Sequence, residues 1–455
     1  MRTTILSLVF FLFLSNLLSA QTYKVGDEVV VIKKVKLRSN GKNADTVSPG
    51  AVLKVKDVDS KNNLWVGNNE PGWLQPVNVI PLSSDAITRF NEWIAASPQD
   101  ASLYNARGLV WSALKDKDKA IADYTEAIRL NPSGIGHYNN RGIAYSNKNM
   151  HDEAIADYTA AINLNAEYST GYYNRARAWR AKKDYEKALA DYNVSIRLDP
   201  DSNLHRQGRG SLLHMQGNFD AAIEDFSVCV RIDPKNAGAF QDRGEAYHAK
   251  GDFRKAISDY TKAINLNPTY ETALKARGNA LTAIGVYDQA LTNYEKVLEI
   301  DPKDVIIYHY FAMTHLAMRD PLTFQDCDKI LEKQGMTGSR SGYAIILGHL
   351  ASKLIPKTKP KHDYLAISEG KLKDTWPTPV IEHFRGNLTE TQLLELVDDD
   401  NQKRTQAHCF LALLALANKD QQTALNHFQW VRDNGPKNIY EYTQSLAELK
   451  PLETP

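Results

Sequence analysis

The 455-residue chain repeats itself with a fixed period of 34 residues. The block ASLYNARGLVWSALKDKDKAIADYTEAIRLNPSG begins at residue 101, and five further blocks follow it without a gap as far as residue 304. A period of this length is typical of arrays in which each unit buries its apolar face against the next unit. The sequence therefore predicts a stacked array in which each block contacts mainly its neighbours.

Each block has the pattern of two helices. Apolar residues recur at helical spacing in the first half, and the second half begins near an Ala-Ile or Ala-Leu pair and ends before proline. Two columns of small residues predict that the helices approach closely, and an aromatic column beside them fills the remaining gap. The columns are Gly108, Gly142, Ala176, Gly210, Gly244 and Gly278; Ala120, Ala154, Ala188, Ala222, Ala256 and Ala290; and Tyr124, Tyr158, Tyr192, Phe226, Tyr260 and Tyr294.

These columns resemble those of the tetratricopeptide repeat family, together with the prolines that end most blocks. Ala166 replaces the proline in one block. The resemblance implies a right-handed solenoid of helix pairs with a concave groove for partners. The expected fold class is mainly α, with a small all-β barrel in front of the solenoid.

The columns also predict the limits of the array. Ala86 and Phe90 fit a half repeat that caps the first block, whereas Pro321 interrupts the pattern of the block that follows residue 304. The stretches at 376–396 and 439–450 resemble the tail of bacterial tetratricopeptide adaptors of the envelope. The predicted segments are the half repeat at 83–100, six repeats at 101–304, a degenerate repeat and helices at 305–355, a polar linker at 356–375, and a helical region at 376–455 with one further repeat at 405–438.

The N-terminus has the pattern of a secretory signal peptide. Arg2 precedes an apolar run at 5–14, and small residues lead to Ala20. We expect cleavage after Ala20 and an extracytoplasmic location, either periplasmic or secreted. An uncleaved membrane anchor is the alternative interpretation.

Residues 21–82 have the pattern of a small β domain. β-branched runs alternate with the turn-rich stretches NGKNADTVSPG and SKN. The order of Leu64-Trp65 and Gly72-Trp73-Leu74 resembles a bacterial Src-homology-3-like barrel. A proline-peptide groove in such a domain needs a tryptophan where this chain has Leu64, so the resemblance does not extend to proline-peptide binding. The basic residues Lys33, Lys34, Lys36 and Arg38 either bind an acidic cell-wall glycan or protect an edge strand, and we favour edge protection.

The composition argues against several classes of function. The 55 Lys and Arg balance 54 Asp and Glu, so the chain has no overall field that would hold nucleic acid. Three widely spaced cysteines predict neither a disulfide framework nor a metal site, and the helical apolar patterns around Cys229 and Cys409 predict buried thiols there. The sequence lacks the phosphate-binding loop, HExxH and GxSxG motifs. We expect no enzymatic activity and no cofactor, and an enzyme with an unfamiliar site at 336–400 is the remaining alternative.

Two charged columns accompany the packing columns. Arginines recur at 107, 141, 175, 209, 243 and 277, and aspartates recur at 123, 157, 191, 225 and 259, with Asn293 in the last block. A phosphate-binding ladder is one interpretation. We favour Arg–Asp pairs that join the helices, because buried charges are normally paired.

We expect the chain to be a non-catalytic scaffold that binds a protein or peptide on the face of its first helices. The resemblance implies that this face is concave, and its amide and hydroxyl side chains favour an extended peptide. Arg177 and Arg180 form a close positive pair near the centre. The alternative is an envelope structural protein held on cell-wall glycan through the barrel. The predicted partner-binding residues are Asn105, Leu109, Ser112, Asn139, Ile143, Ser146, Tyr173, Arg177, Arg180, Gln207, His214, Gln241, Glu245 and His248.

Overall fold

The computed structural model describes most of the chain from residue 79 onward and a set of strands before it. The described residues are 24, 28–31, 35–39, 42–47, 51–58, 64–66, 72–74, 79–338, 340–355, 357–372, 376–436 and 439–453. The predicted signal peptide at 1–20 lies outside the described residues, as do Lys33 and Lys34.

Seven antiparallel strands pair within the N-terminal segment. They are β1 (Glu28–Val31), β2 (Val35–Ser39), β3 (Lys42–Val47), β4 (Val52–Val58), β5 (Leu64–Val66), β6 (Gly72–Leu74) and β7 (Val79–Pro81), and the order of pairing is β3-β2-β6-β5-β4-β1-β7. Among the described strands, β3 and β7 each pair on one side, so the closed barrel stays a prediction. Strand β3 lies inside the stretch that we predicted as turn. Ser39 pairs with Lys42, and the Asn-Gly between them is a strong hairpin signal that the prediction missed.

The edge-strand interpretation of the basic residues is wrong for Lys36 and Arg38. Both lie on β2, which pairs with β3 on one side and with β6 on the other, and Arg38 faces Trp73 across the latter pair. A strand with two neighbours has no free edge to protect. The segment is joined to the first helices through β1, because Val30 is buried against Ala86 and Phe90.

Helix pairs follow the strands, and the chain divides into two compact units, 1–208 and 209–455. The helices of the first unit are α1 (Ser84–Ala96), α2 (Ala101–Ala113), α3 (Lys117–Leu130), α4 (Ile135–Ser146), α5 (His151–Leu164), α6 (Ser169–Ala181) and α7 (Tyr185–Leu198), and α8 (Asn203–Met215) contains the division. Each predicted block contributes one helix pair, and α1 lies within the segment predicted as a half repeat.

The small and aromatic columns pack as predicted. A methyl group placed on Gly108 would lie 2.6 Å from Cε1 of Tyr124, and one on Gly142 would lie 2.7 Å from Cε1 of Tyr158. These distances are shorter than any normal carbon–carbon contact, so glycine is what lets the aromatic ring lie against the first helix. Ala120 and Tyr124 are both buried in the same cluster.

The turn inside each pair has its own 34-residue period. The backbone adopts positive φ at Lys115, Asn149, Lys183, Gly217, Gly251 and Gly285, and again at Arg319. This conformation favours glycine, yet three of the six repeats place lysine or asparagine there. Arg319 shows that the block after residue 304 keeps the turn. Pro321 directly precedes its second helix, where proline is well tolerated, rather than interrupting that helix.

The second unit continues with helix pairs and ends in a larger core. Its helices are α9 (Phe219–Ile232), α10 (Ala237–Lys250), α11 (Phe253–Leu266), α12 (Glu271–Ala283), α13 (Tyr287–Ile300), α14 (Ile306–Ala317), α15 (Leu322–Gln334), α16 (Ser341–Leu354), α17 (Tyr364–Ile367), α18 (Thr378–Phe384), α19 (Glu390–Glu395), α20 (Asn401–Ala417), α21 (Gln421–Asn434) and α22 (Tyr440–Glu453). One apolar cluster extends from Phe240 to Leu449. Within the described ranges, no helix combines the length and apolar character that a membrane crossing requires.

The segment predicted as a linker contains α17 and joins this core. Tyr364 is buried, and its hydroxyl donates to the carbonyl oxygen of Phe324 at 3.2 Å and to Oδ1 of Asp328 at 2.8 Å. The prolines and lysines that suggested a linker lie on either side of Tyr364, and this buried residue anchors the segment in the core. In the predicted repeat at 405–438, α20 and α21 form a pair that buries Ala412, Ala424 and Phe428.

Candidate partner-binding site

The arginine and aspartate columns are paired, as the favoured interpretation predicted. In each of five blocks the arginine Nε donates to Oδ2 at 2.7–2.8 Å, and Nη2 donates to Oδ1 at 2.5–2.8 Å. The aspartates are buried, and each bond to its carboxylate raises the pKa of the arginine. These arginines therefore join helices and are not available to a phosphate ligand. The pairs are Arg107–Asp123, Arg141–Asp157, Arg175–Asp191, Arg209–Asp225 and Arg243–Asp259.

The sixth arginine has an amide in place of the carboxylate. Arg277 donates from Nε to Oδ1 of Asn293 at 2.9 Å and from Nη1 to Oγ1 of Thr261 at 3.1 Å. Burial lowers the pKa of Arg277, whereas the hydrogen bond to aspartate raises the pKa of the other five arginines. This block therefore has the same geometry with a weaker electrostatic partner.

The first unit has a polar pocket of about 250 Å³ on the face of its first helices, which we call the arginine pocket. Four predicted residues line it: Ile143 and Ser146 from α4, and Arg177 and Arg180 from α6. The other lining residues, which include the polar Asn147, His151 and Asn174, were not predicted from the sequence. The lining residues are Ile143, Ser146, Asn147, His151, Tyr158, Asn174, Arg177, Ala178, Arg180 and Ala181.

The arginine pocket is positively charged. Its lining contains two arginines and neither aspartate nor glutamate. Arg177 is exposed and lies over the ring of Tyr173 at 5.7 Å, and Arg180 is half-buried. Tyr158 is buried, and its hydroxyl lies 3.3 Å from Oγ of Ser146. Burial raises the pKa of Tyr158 to about 12 although the charge of Arg177 opposes the shift, so the phenol is protonated at neutral pH.

Several amides predicted to bind a partner are bonded within the array. Nδ2 of Asn140 donates to Oδ1 of Asn105 at 3.0 Å, and Nδ2 of Asn174 donates to Oδ1 of Asn139 at 2.9 Å. Asn139 is buried, so it cannot present a free amide to an extended peptide. The prediction treated these side chains as unbonded, because partners one repeat away cannot be seen within a single block.

The other predicted residues of the first unit do not line the arginine pocket. Leu109 packs partly buried against Tyr124, and the Ser112 hydroxyl bonds that tyrosine. Tyr173 is buried between Tyr192 and His205, with ring centroids 5.9 Å and 5.1 Å away. Gln207 is half-buried. Leu109 and Tyr173 therefore serve mainly in packing.

The second unit has a separate pocket lined by three predicted residues, His214, Glu245 and His248. Nε2 of the buried Gln241 donates to Oε1 of the exposed Glu245 at 2.8 Å. Asn279 and Tyr260 complete its polar lining. This pocket carries one carboxylate and no arginine or lysine, so its charge is opposite to that of the arginine pocket.

In the block that follows the six repeats, the chain covers the same face itself. His309, Met313 and Leu316 occupy the columns of Asn105, Leu109 and Ser112, and all three are buried. Helix α22 packs on α12 and α14, and Oε1 of Glu441 lies 3.7 Å from Nε2 of His309. In this block, where Met313 and Leu316 are apolar, a helix of the chain itself therefore lies on the face.

No three His, Cys, Asp or Glu side chains among the described residues converge in a way that would hold a metal ion. Cys229 and Cys409 are free and buried, as predicted, and Cys327 is free and buried as well. Burial raises the pKa of the Cys327 and Cys409 thiols.

Family models of the tetratricopeptide repeat match three parts of the array. They cover residues 101–133, 139–203, and 244–318 as two overlapping matches at 244–285 and 278–318. These parts are tetratricopeptide repeats. No curated protein matches the chain in sequence.

Solved tetratricopeptide structures are similar to parts of the chain. YrrB, described as a tetratricopeptide protein with an unusual peptide-binding site, is 26% identical over 41% of this chain and 97% of its own, with a TM-score of 0.35. A repeat protein from Parabacteroides merdae is 19% identical over 51% of this chain and 91% of its own, with a TM-score of 0.40. The C-terminal part of a repeat protein from Cytophaga hutchinsonii is 20% identical over 52% of this chain and 97% of its own, with a TM-score of 0.44.

Proposed function

We propose that this chain, whose helix pairs include tetratricopeptide repeats, is an exported, non-catalytic scaffold that binds a protein or peptide on the face of its first helices. The arginine pocket carries the proposal. It is open and polar, it is built from adjacent repeats, and its two arginines have no carboxylate partner among the described residues. Arginine is a frequent energetic centre of protein interfaces, so its presence in an open pocket favours partner binding.

The block after the six repeats supports this use of the face. Helix α22 occupies the columns there, and Arg319 binds Glu448 of α22 through two hydrogen bonds of 2.9 Å and 3.0 Å. The same columns in the arginine pocket have no occupant from the described chain. A partner segment would lie against them as α22 lies against α14.

Site-specific photo-crosslinking in the native cell tests this function. A photoreactive residue in place of Ile143, at the rim of the arginine pocket, is expected to crosslink a partner that mass spectrometry then identifies. The matched control replaces Arg197, which is exposed on the second helix α7. Equal crosslinking from both positions, or crosslinking from 197 alone, would contradict the proposed face.

Export and the front segment need separate measurements. We propose that the chain begins at Gln21 after export and that residues 21–82 form a Src-homology-3-like barrel. The intact mass of the protein recovered from outside the cytoplasm is expected to lack residues 1–20, and retention of those residues would instead indicate a membrane anchor. The alternative function is a structural protein held on cell-wall glycan through this barrel. Sedimentation with purified peptidoglycan, with and without residues 21–82, tests it: the full chain must bind, and deletion of residues 21–82 must abolish the binding.

A further inference from the structure

We propose that a lysine-rich loop of the second unit binds the surface of an anionic phospholipid membrane. The loop, which we call the lysine loop, comprises residues 357–361 between α16 and α17, and its lysines are Lys357, Lys359 and Lys361. This contact adds a second surface to the proposed scaffold. It depends neither on the arginine pocket nor on the identity of the partner that the pocket receives.

The three lysines are presented on the outer side of the loop. Lys357, Lys359 and Lys361 are exposed, whereas Thr358 and Pro360 between them are half-buried. The backbone from 357 to 361 spans at most about 14 Å even when it is fully extended, so the three ammonium groups can reach one surface together. Pro360 fixes one φ angle of the loop, which reduces the conformational freedom that is lost on binding.

Both ends of the lysine loop are fixed in the core. Ile355 is buried before the loop, and Tyr364 is buried after it. The amide of Thr358 donates to the carbonyl oxygen of Ile355 at 3.2 Å, and Nε2 of His362 lies 3.2 Å from Oδ1 of Asp328. The loop is therefore held against the protein while its lysine side chains stay exposed.

The lysines of the loop differ from many lysines of the repeats, which are paired with aspartate. The three loop lysines form no ion pair with a carboxylate of the described residues. Their charge is therefore left for a partner outside the chain. The paired lysines of the repeats are Lys119 with Asp116, Lys148 with Asp118, Lys182 with Asp152, Lys187 with Asp184, Lys250 with Asp220, and Lys255 with Asp252.

Positive charge is concentrated around the loop although the whole chain is nearly neutral. The segment 353–371 contains five lysines against two carboxylates, Asp363 and Glu369. Asp363 caps α17, because its Oδ1 accepts from the backbone amides of Leu365 and Ala366. Each lysine close to an anionic membrane surface strengthens binding about fivefold, so a cluster of this size gives substantial affinity.

The residue types favour a membrane over nucleic acid. Arginine presents a fork of donors that recognises single phosphate groups, whereas lysine is a compact charge on a flexible stem, and the segment 353–371 contains no arginine. The one aromatic residue of the segment, Tyr364, is buried, so it offers no ring for a base to stack on. An array of anionic headgroups requires only charge, which the loop supplies.

Co-sedimentation of the full chain with lipid vesicles tests the lysine loop. Vesicles of equal parts phosphatidylglycerol and phosphatidylcholine are compared with vesicles of phosphatidylcholine alone. We expect binding to the anionic vesicles at low salt, little binding to the neutral vesicles, and loss of binding as added salt screens the charges. The neutral vesicles also measure any binding through the apolar run at 5–14, which does not require charge.

Two triple variants separate the loop from the net charge. Lys357→Gln/Lys359→Gln/Lys361→Gln should weaken binding to the anionic vesicles at least about tenfold. Its melting temperature should be unchanged, because the three side chains are exposed. The matched control, Lys119→Gln/Lys187→Gln/Lys255→Gln, removes the same charge from exposed pairs of the repeats and should bind the vesicles as the unmodified protein does.

Four results would overturn the inference. They are equal binding to neutral and anionic vesicles, unchanged vesicle binding in the loop variant, an equal loss in the loop and control variants, or binding of duplex DNA without binding of anionic vesicles. Crosslinking from Ile143 separates this surface from the scaffold function. Crosslinking that persists without vesicle binding would remove the membrane contact alone, whereas loop-dependent vesicle binding without crosslinking would remove the scaffold function and support the membrane contact.

Discussion

The six repeats and the helices after them hold together in different ways. In the repeats, polar contacts join residues that are 16 apart in sequence, such as Arg175 with Asp191, or 35 apart, such as Asn174 with Asn139. After residue 304, the buried contacts reach further. Tyr343 donates to Gln406, 63 residues away, and Arg319 binds Glu448, 129 residues away. The polar contacts within the repeats join neighbouring helices, whereas the helices after residue 304 share one core, which also includes residues of the last two repeats from Phe240 onward.

This difference predicts how far the destabilising effect of a substitution extends along the chain. A repeat that loses a contact affects mainly the repeats beside it, because stability in such arrays is close to a sum of local terms. A residue of the shared core contacts helices that are distant in sequence, so its loss destabilises all of them. The following predictions test this contrast, beginning with the largest expected effect.

Phe410→Ala is expected to cost about 3–5 kcal/mol of unfolding free energy, because it leaves a cavity in the shared core. Phe410 is fully buried on α20, and its ring lies 6.2 Å from that of Tyr343 on α16. Hydrogen exchange with mass spectrometry should show lost protection over α16, α20 and α22 together. Loss confined to α20 would contradict a single shared core.

Arg175→Ala is expected to cost about 3 kcal/mol, because it leaves the buried carboxylate of Asp191 without its counterion. The loss of protection should be limited to the third repeat and its neighbours within the first unit. Arg129→Ala is the control, since its pair with Glu126 is exposed and should leave thermal melting unchanged. An unchanged melting temperature in Arg175→Ala would show that the paired columns add nothing to stability.

Acid is expected to weaken the shared core through a pair of buried histidines. Nδ1 of His408 lies 2.8 Å from Nδ1 of His427, both are buried, and the ring of His408 stacks on Trp430 at 3.9 Å. Burial lowers the pKa of His408 to about 3, and the charges of His427 and Arg404 act in the same direction. Burial also lowers the pKa of His427, with Glu390 opposing and His383 adding to the shift.

Because the folded pKa of His408 lies below the unfolded value of about 6.5, the unfolded chain binds more protons between the two values, and stability falls as pH falls through this window. We expect a loss of about 2 kcal/mol from His408 at pH 5 relative to pH 7. Thermal melting of the intact chain at both pH values measures it, with His408→Gln as the control that should reduce the difference. Identical melting of the unmodified protein at pH 7 and pH 5 would contradict the prediction.

Asn293→Asp is expected to stabilise the last repeat by about 1 kcal/mol, because Arg277 would gain the carboxylate that the other five arginines have. The gain is reduced because Nδ2 of Asn293 donates to the carbonyl oxygen of Gln289, and aspartate cannot donate. Urea denaturation measures the change, and Asn293→Leu, which offers Arg277 no acceptor, should be destabilised. Equal stability of the two variants would show that the charge of the partner is unimportant here.

The sequence predicts the repeats well, because each feature of one block is tested by five others. The small, aromatic and charged columns all lie where the 34-residue period places them, and the packing of Gly108 against Tyr124 follows from residue size alone. The period also contains the positive-φ turn, but glycine occupies it in only half of the repeats. Asparagine is enriched in this conformation, but Lys115 and Lys183 carry no signal that residue type would reveal.

The later helices and the site are less predictable, because their contacts join segments that do not recur in other blocks. Contacts such as Tyr364 with Asp328 depend on segments meeting across many residues, and no internal comparison identifies them. In the site, the sequence predicts Arg177 and Arg180 because they stand out from their columns. It does not predict that Asn139 is already bonded, nor that the Tyr192 hydroxyl lacks a hydrogen-bond partner among the described residues, because neither fact can be read from a single block.

The 16-residue spacing of the Arg–Asp pairs also sets an order of folding. Each pair closes a short loop, and such contacts have a low contact order, which favours fast folding. A repeat can therefore acquire its buried ion pair as soon as one helix pair has emerged from the ribosome or from a translocation pore. The core that contains Arg319 must wait for Glu448, 129 residues later, so the chain would complete the surface that carries the arginine pocket before its own C-terminal helix exists.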